Sequence, residues 1–229
     1  RRTFLTNAAA VSGITLLPFR ASAGGHGADS FASANGELII APKNHASFVM
    51  QTSAGTIYVD PVGEPDIYDD MPSPDMILIT HEHGDHFNAD TLAAIMNENT
   101  IMITNPAVYE MLPSEMQDVT IPIGNGETAD EGDVVIDAIP AYNTTEERLN
   151  FHPEGRDNGY IVSVDGLRIY ISGDTEDIPE MRALENIDIA FVCMNLPFTM
   201  DATAAASAVS AFAPSYVYPY HYRGRDNGT

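Results

Sequence analysis

The sequence has 229 residues, 44% apolar and 19% charged, with 33 acidic against 10 basic side chains and a net charge of −23. That length suits one domain with a substantial core, and the apolar share excludes a disordered chain and a polytopic membrane protein. The acidic surface repels phosphate backbones, which excludes nucleic acid as a partner; it reads as a solvated surface suited to salty surroundings.

The first segment reads as an address. Arg1-Arg2-Thr3-Phe4-Leu5 is followed by a weakly apolar stretch to Phe19, and Ala21-Ser22-Ala23 supplies the small-x-small pattern of a signal-peptidase site. The apolar part is too short to cross a bilayer comfortably. The expectation is a twin-arginine-type signal peptide over 1–23 that packs poorly on the domain. It would send the chain to the periplasm with no stable membrane association after cleavage. Residues 24–35, rich in Gly, Ala and Ser, read as a flexible linker. Residues 36–229 form the folded domain, whose C-terminal end is expected to be incomplete.

Within the domain, 37–40, 46–51 and 56–60 read as strands, with Ser53-Ala54-Gly55 as a hairpin turn. A Pro- and Asp-rich loop runs from Pro61 to Pro74. Met76-Ile77-Leu78-Ile79-Thr80 is an unbroken apolar run of the kind found in strands covered on both faces. Asn88 caps a helix over 89–97, 101–104 is a buried strand, and Pro106 starts a short helix. Strands follow at 119–123, 134–140, 160–164 and 167–172, with Asp165-Gly166 as a hairpin turn. A short helix at 179–184, a strand at 187–194, a helix at 202–212 capped by Asp201 and ended by Pro214, and a strand at 216–220 complete the pattern. An early meander followed by strand–helix alternation fits two sheets with helices outside. Cys193, the single cysteine, lies in an apolar strand and reads as a core thiol.

Chemistry concentrates in Thr80-His81-Glu82-His83-Gly84-Asp85-His86, placed between a buried strand and a helix. Alternate residues of an extended segment share a side, so His81 and His83 can reach one metal. Gly84 permits a sharp turn that aims Asp85 and His86 at a neighbouring position. Imidazole and carboxylate donors suit zinc or iron, and hydrolytic sites leave a position open for water.

This run resembles the His-x-His-x-Asp-His signature of the metallo-β-lactamase superfamily, and the resemblance extends from about Glu37 to Tyr222. It implies a four-layer αββα sandwich of α/β (α+β) class. It also implies two divalent metal ions, Zn2+ first with Mn2+ or Fe as alternatives. Asn150-Phe151-His152-Pro153 would complete the first position with His81 and His83. Asp85, His86 and His221 would hold the second, and Asp174 of Ser172-Gly173-Asp174-Thr175 would be shared. Asp60 sits where the superfamily has a structural aspartate. His45 is expected behind Asp60 or against the far nitrogen of a ligand, or as a strand-start histidine bonded to backbone. Asn143, Tyr142 and Tyr222 are candidate donors to a substrate oxygen. Among subgroups the chain looks most like the ascorbate-6-phosphate-lactonase-like and related hydrolases. It departs from β-lactamases with a cysteine ligand, since Asp174 occupies that position.

The resemblance implies a metal-dependent hydrolase in which water activated between the metals attacks a small lactone or ester, with Asp85 as the catalytic carboxylate. Small phosphodiester hydrolysis and an iron-dependent, sulfur dioxygenase-like redox reaction are the alternatives. The expected partner is a small-molecule substrate; the sequence leaves the oligomeric state open.

Overall fold

The computed structural model describes residues 13–19 and 27–222. The first described strand, β1 (Thr15–Leu16), belongs to the second of two sheets. The first sheet follows chain order: β2 (Asp29–Ser33), β3 (Gly36–Asn44), β4 (Ser47–Thr52), β5 (Gly55–Val59), β6 (Met76–Ile79), β7 (Ile101–Thr104) and β8 (Thr120–Pro122). Antiparallel hairpins join β2 to β5, and parallel pairing continues from β5 to β8. The second sheet contains β9 (Thr128–Glu131), β10 (Val134–Ala141), β11 (Asp157–Val164), β12 (Leu167–Ile171), β13 (Ile189–Cys193) and β14 (Tyr216–Tyr220), in the order β1-β14-β13-β12-β11-β10-β9. The helices are α1 (Ala89–Ile95), α2 (Pro106–Met111), α3 (Ser114–Gln117), α4 (Pro179–Arg182) and α5 (Ala202–Phe212).

Period-two alternation sorts the layers. Leu38, Ile40, Phe48, Met50, Ile57, Val59 and Leu78 face the second sheet, which answers with Ile169, Ile171, Phe191, Tyr218 and Tyr220. Phe48 stacks on Phe191 with ring centroids 3.9 Å apart, and Phe191 stacks on Tyr218 at 4.8 Å. Burying each such ring is worth about 1.5–3 kcal/mol. The opposite face of the first sheet, through Val49, Tyr58, Ile77, Ile79 and Met102, packs on Leu92 of α1 and Val108 of α2. On the far side α5 buries Ala205, Ala208, Val209 and Phe212, with Phe212 edge-on to Tyr170. The result is the expected αββα sandwich. The caps also form as read: Asn88 accepts from Thr91 N–H and Asp201 from Ala204 N–H.

Three expectations change. Residues 29–33 are not linker but strand β2, in register with β3 from Asp29↔Ile40 to Ser33↔Gly36. An edge strand needs few apolar side chains. Phe31 packs on Tyr216 at 5.0 Å, and Asp29 accepts from the Tyr218 hydroxyl at 2.7 Å.

The described part of the expected leader does not pack poorly. β1 pairs parallel with β14, and Phe19 is buried with its ring edge-on to Phe48, Phe191 and Tyr220. The open edge of β14 offers unsatisfied backbone groups, and the gap between the sheets accepts an aromatic ring. Arg1-Arg2 and Ala21-Ser22-Ala23 lie outside the described residues, as do residues 24–26 of the expected linker.

β11 begins at Asp157 rather than at 160, which carries Asp157 and Asn158 into the ladder. β9 and α3 add two elements that the hydrophobic pattern does not announce; in β9 only Ala129 is buried.

Candidate metal centre

Pairing directions make β3, β5, β6, β10, β12 and β14 run toward the same edge of the sandwich. Each delivers its candidate residues in the connection that follows its C-terminal end: His45, Asp60, His81–His86, Asp174 and His221 close behind β3, β5, β6, β12 and β14, and His152 from the longer loop between β10 and β11. Binding crevices of α/β sheets form at such carboxyl ends. Gly173 makes the approach of β12 possible: at φ +59, a Cβ there would lie 2.6 Å from the Asn158 carbonyl oxygen.

His81, His83 and His152 bring one nitrogen each within 4.8 Å of one another. Their orientation is set from behind. Thr80 Oγ1 donates to Asp60 Oδ2 at 2.7 Å and takes His81 Nδ1 at 3.0 Å. Asp60 Oδ2 also holds His86 Nδ1 at 2.7 Å, and Asp157 Oδ2 holds His152 Nδ1 at 3.0 Å. Anchoring each ring through Nδ1 turns Nε2 inward. His81, His86 and Asp174 form a second group, and His45, Asp85 and His221 a third. Asp174 lies between them. Its Oδ1 is 3.5 Å from His86 Nε2 and 3.3 Å from His221 Nδ1, and its Oδ2 is 3.3 Å from His152 Nε2.

The electrostatics of the cluster call for positive charge. Burial opposes ionisation of Asp174, yet the His221, His86, His152 and His81 imidazoles hold it well below the usual carboxylate range. A hydrogen bond with His221 holds Asp85 low as well, against its partial burial. Burial opposes protonation of His86, but Asp174, Asp60 and Asp85 push it up to about 9. His152 moves upward in the same way, against burial, under Asp157 and Asp174. Burial holds His81 well below its ordinary value, with His86 adding to the effect. His81 Nε2, His86 Nε2, Asp174 Oδ1 and His221 Nδ1 are buried without a hydrogen bond. Nitrogen and carboxylate donors facing one another in this way fit divalent cations.

All seven residues expected as ligands therefore converge, His152 included. The grouping differs in one respect from expectation: Asp85 and His221 meet His45, while His86 meets His81 and Asp174. Asp60 is the buried anchor of Thr80 and His86, and the His45 ring lies 4.2 Å from that of His221, with its Nε2 4.0 Å from Asp85 Oδ2. Asn143 is not placed as a substrate donor. Its amide nitrogen is spent on the Arg148 and Phe198 carbonyls, and its N–H bonds the His152 carbonyl at 2.8 Å, which ties the His152 loop down. Tyr142 turns its hydroxyl to Glu180 of α4. Tyr222 follows His221 and is half-buried.

The sequence reading missed Asp157, Arg156 and Glu176. Arg156 bonds both Asp157 oxygens, at 2.6 and 3.0 Å, and reaches Glu82 at 2.7 Å, so one guanidinium bridges the loops of His83 and His152. Glu176 accepts from Thr144 and Thr145 and pairs with Arg148, fixing the start of the His152 loop. Hydrophobic periodicity carries no trace of these contacts. The adjacent opposite charges of Arg156-Asp157, four residues past His152, are the only local hint.

Residues 40–221 match the model of the Beta-lactamase superfamily domain. A UPF0173 metal-dependent hydrolase from Anaeromyxobacter dehalogenans is 31% identical over 211 residues, covering 83% of this chain and 76% of that protein. One from Pyrococcus horikoshii is 33% identical over 189 residues, covering 78% and 81%. A crystal structure from Parabacteroides distasonis, described as a metal-dependent hydrolase, superposes with a TM-score of 0.78 at 44% identity, covering 85% of this chain and 87% of that one.

Proposed function

Because the chain belongs to the beta-lactamase superfamily and, within it, to the UPF0173 metal-dependent hydrolases, we propose that it uses two zinc ions to hydrolyse a small lactone or ester. The carrying observation is Asp174, a buried carboxylate within 3.5 Å of imidazoles from both sides of the site. His81, His83 and His152 would hold one ion and Asp85, His86 and His221 the other, with Asp174 shared. When bound, such ions bring water to ionisation near neutral pH and draw charge from a carbonyl oxygen. Asp85, half-exposed and held ionised by His221, accepts a hydrogen bond from the attacking water and orients it. Asp60, Thr80 and Asp157 keep the imidazoles in place while charge develops.

A neutral carbonyl substrate is favoured over a phosphodiester by the arginines beside the site. Arg148 is spent on Glu176, and Arg156 on Glu82 and Asp157. A phosphate would have to draw one of them away from a carboxylate. The test is a panel of lactones, esters and small phosphodiesters with metal-loaded protein and Asp174→Ala. Lactone or ester turnover that falls at least about a hundredfold in the variant, with loss of bound metal, is expected. Faster turnover of a phosphodiester, or full turnover by the variant, overturns the reading.

The same reading includes export by the twin-arginine route, supported by Arg1-Arg2 ahead of an apolar stretch and Ala21-Ser22-Ala23. Lysine at both arginine positions should leave the precursor in the cytoplasm on cell fractionation. Unchanged export would assign it to another route.

A further inference from the structure

His45 lies in the two-residue connection between β3 and β4, beside an irregularity in their pairing between Pro42 and Asn44. Irregularities of this kind re-aim side chains at sheet edges. Its N–H bonds Asn44 Oδ1 at 2.9 Å, and its carbonyl accepts from His221 N–H at 3.3 Å. His221 holds a left-handed backbone, φ 49, at the turn that follows β14. A non-glycine residue there carries a cost that the surrounding contacts must offset. The two histidines are thus tied together across the two sheets. Their ring centroids are 4.2 Å apart at a tilt of 43°, and His45 Nε2 lies 4.0 Å from Asp85 Oδ2. The His45 side chain is 14% exposed and that of Asp85 37%, which puts this group on the solvent side of the cluster.

We infer that His45 supplies a third donor, beside Asp85 and His221, to the outer metal position. Two imidazoles and a carboxylate from three separate turns, with donor atoms inside 4.8 Å, make a ligand set for a borderline divalent cation such as zinc. The assignment accounts for the backs of the rings. Asp60 holds His86 Nδ1, which leaves His86 Nε2 to His81 and Asp174. The outer position then takes its second nitrogen from His45. The inference rests on the reading of this cluster as a metal centre and changes its ligand list.

The test uses the full chain, stripped with chelator and titrated with Zn2+ by calorimetry and with Co2+ by visible absorbance. His45→Phe keeps a ring against His221, removes both nitrogens and leaves the backbone bond to His221 intact. In the original chain two ions are expected. In His45→Phe one should bind as before and the other about 10–100-fold more weakly, with an altered Co2+ spectrum. His83→Ala should weaken the other ion instead. Unchanged affinities and spectrum in His45→Phe overturn the inference. If that variant does not fold, His45→Ala is judged by the same criterion. A single ion in the original chain would defeat the two-metal reading without deciding this one. His45 would then be judged on that ion: weakening upholds it, and no change overturns it.

Discussion

At the scale of single residues, the site is controlled by what stands behind the rings. Thr80, Asp60 and Asp157 each engage an Nδ1, and the inward Nε2 atoms follow from those bonds. Asp157 is fully buried and serves His152 and Arg156 together. Asp157→Asn preserves its volume but removes the charge that draws the His152 proton and neutralises Arg156. Metal affinity at the His81, His83 and His152 position should fall about 10–100-fold, with the fold retained. Calorimetric titration beside a circular dichroism spectrum checks this; equal affinity in both proteins would reduce Asp157 to a packing role. Cys193 plays no part in this chemistry. Burial pushes its thiol up to about 12, and its sulfur bonds the Thr175 carbonyl. It is the inert core thiol that its apolar strand suggests.

At the scale of elements, edge strands set the limits of the sandwich. β1 and β2 lie at the ends of their respective sheets; Phe19, three residues past β1, sets its ring against Tyr220, and Phe31 of β2 sets its ring against Tyr216 and Tyr218. Phe19 touches Phe48, Phe191 and Tyr220, and Tyr220 immediately precedes His221. Phe19→Ala should destabilise the full chain by about 3–5 kcal/mol, the usual cost of truncating a buried phenylalanine. A denaturant midpoint shift measures it. No shift would mean that 13–19 docks without contributing to the core.

At the scale of the whole molecule, the functional residues come from both sheets and meet at one edge. Binding of cations there is therefore linked to how the sheets are held together. Asp174 and His221 belong to the second sheet; His45, Asp60 and His81–His86 belong to the first. Ligands that bind only the folded state stabilise it by mass action. A net charge of −23 adds a general preference for cations. Chelator treatment should lower the melting temperature by several degrees, and returning zinc should restore it. Identical melts with and without chelator, while elemental analysis shows the metal removed, would separate the site from the fold's stability.

The run from Thr80 to His86 is legible in the sequence because its donors are close along the chain and follow an apolar strand that can only be buried. The same holds for Asn88 and Asp201, whose capping is a contact three residues long. The sandwich is legible because alternation and turn chemistry are local. Asp174, His152 and His221 needed the family resemblance, since their neighbours do not distinguish them from ordinary strand-end residues. Tertiary structure alone decided the rest. The bridge of Arg156 between Glu82 and Asp157 spans 74 residues on one side, and His45 meets His221 across the two sheets. Strands β1 and β2 carry too few apolar residues to show a period. Such contacts depend on which strand ends are brought to the same edge, and hydrophobic pattern records a residue's face but not its distant neighbour.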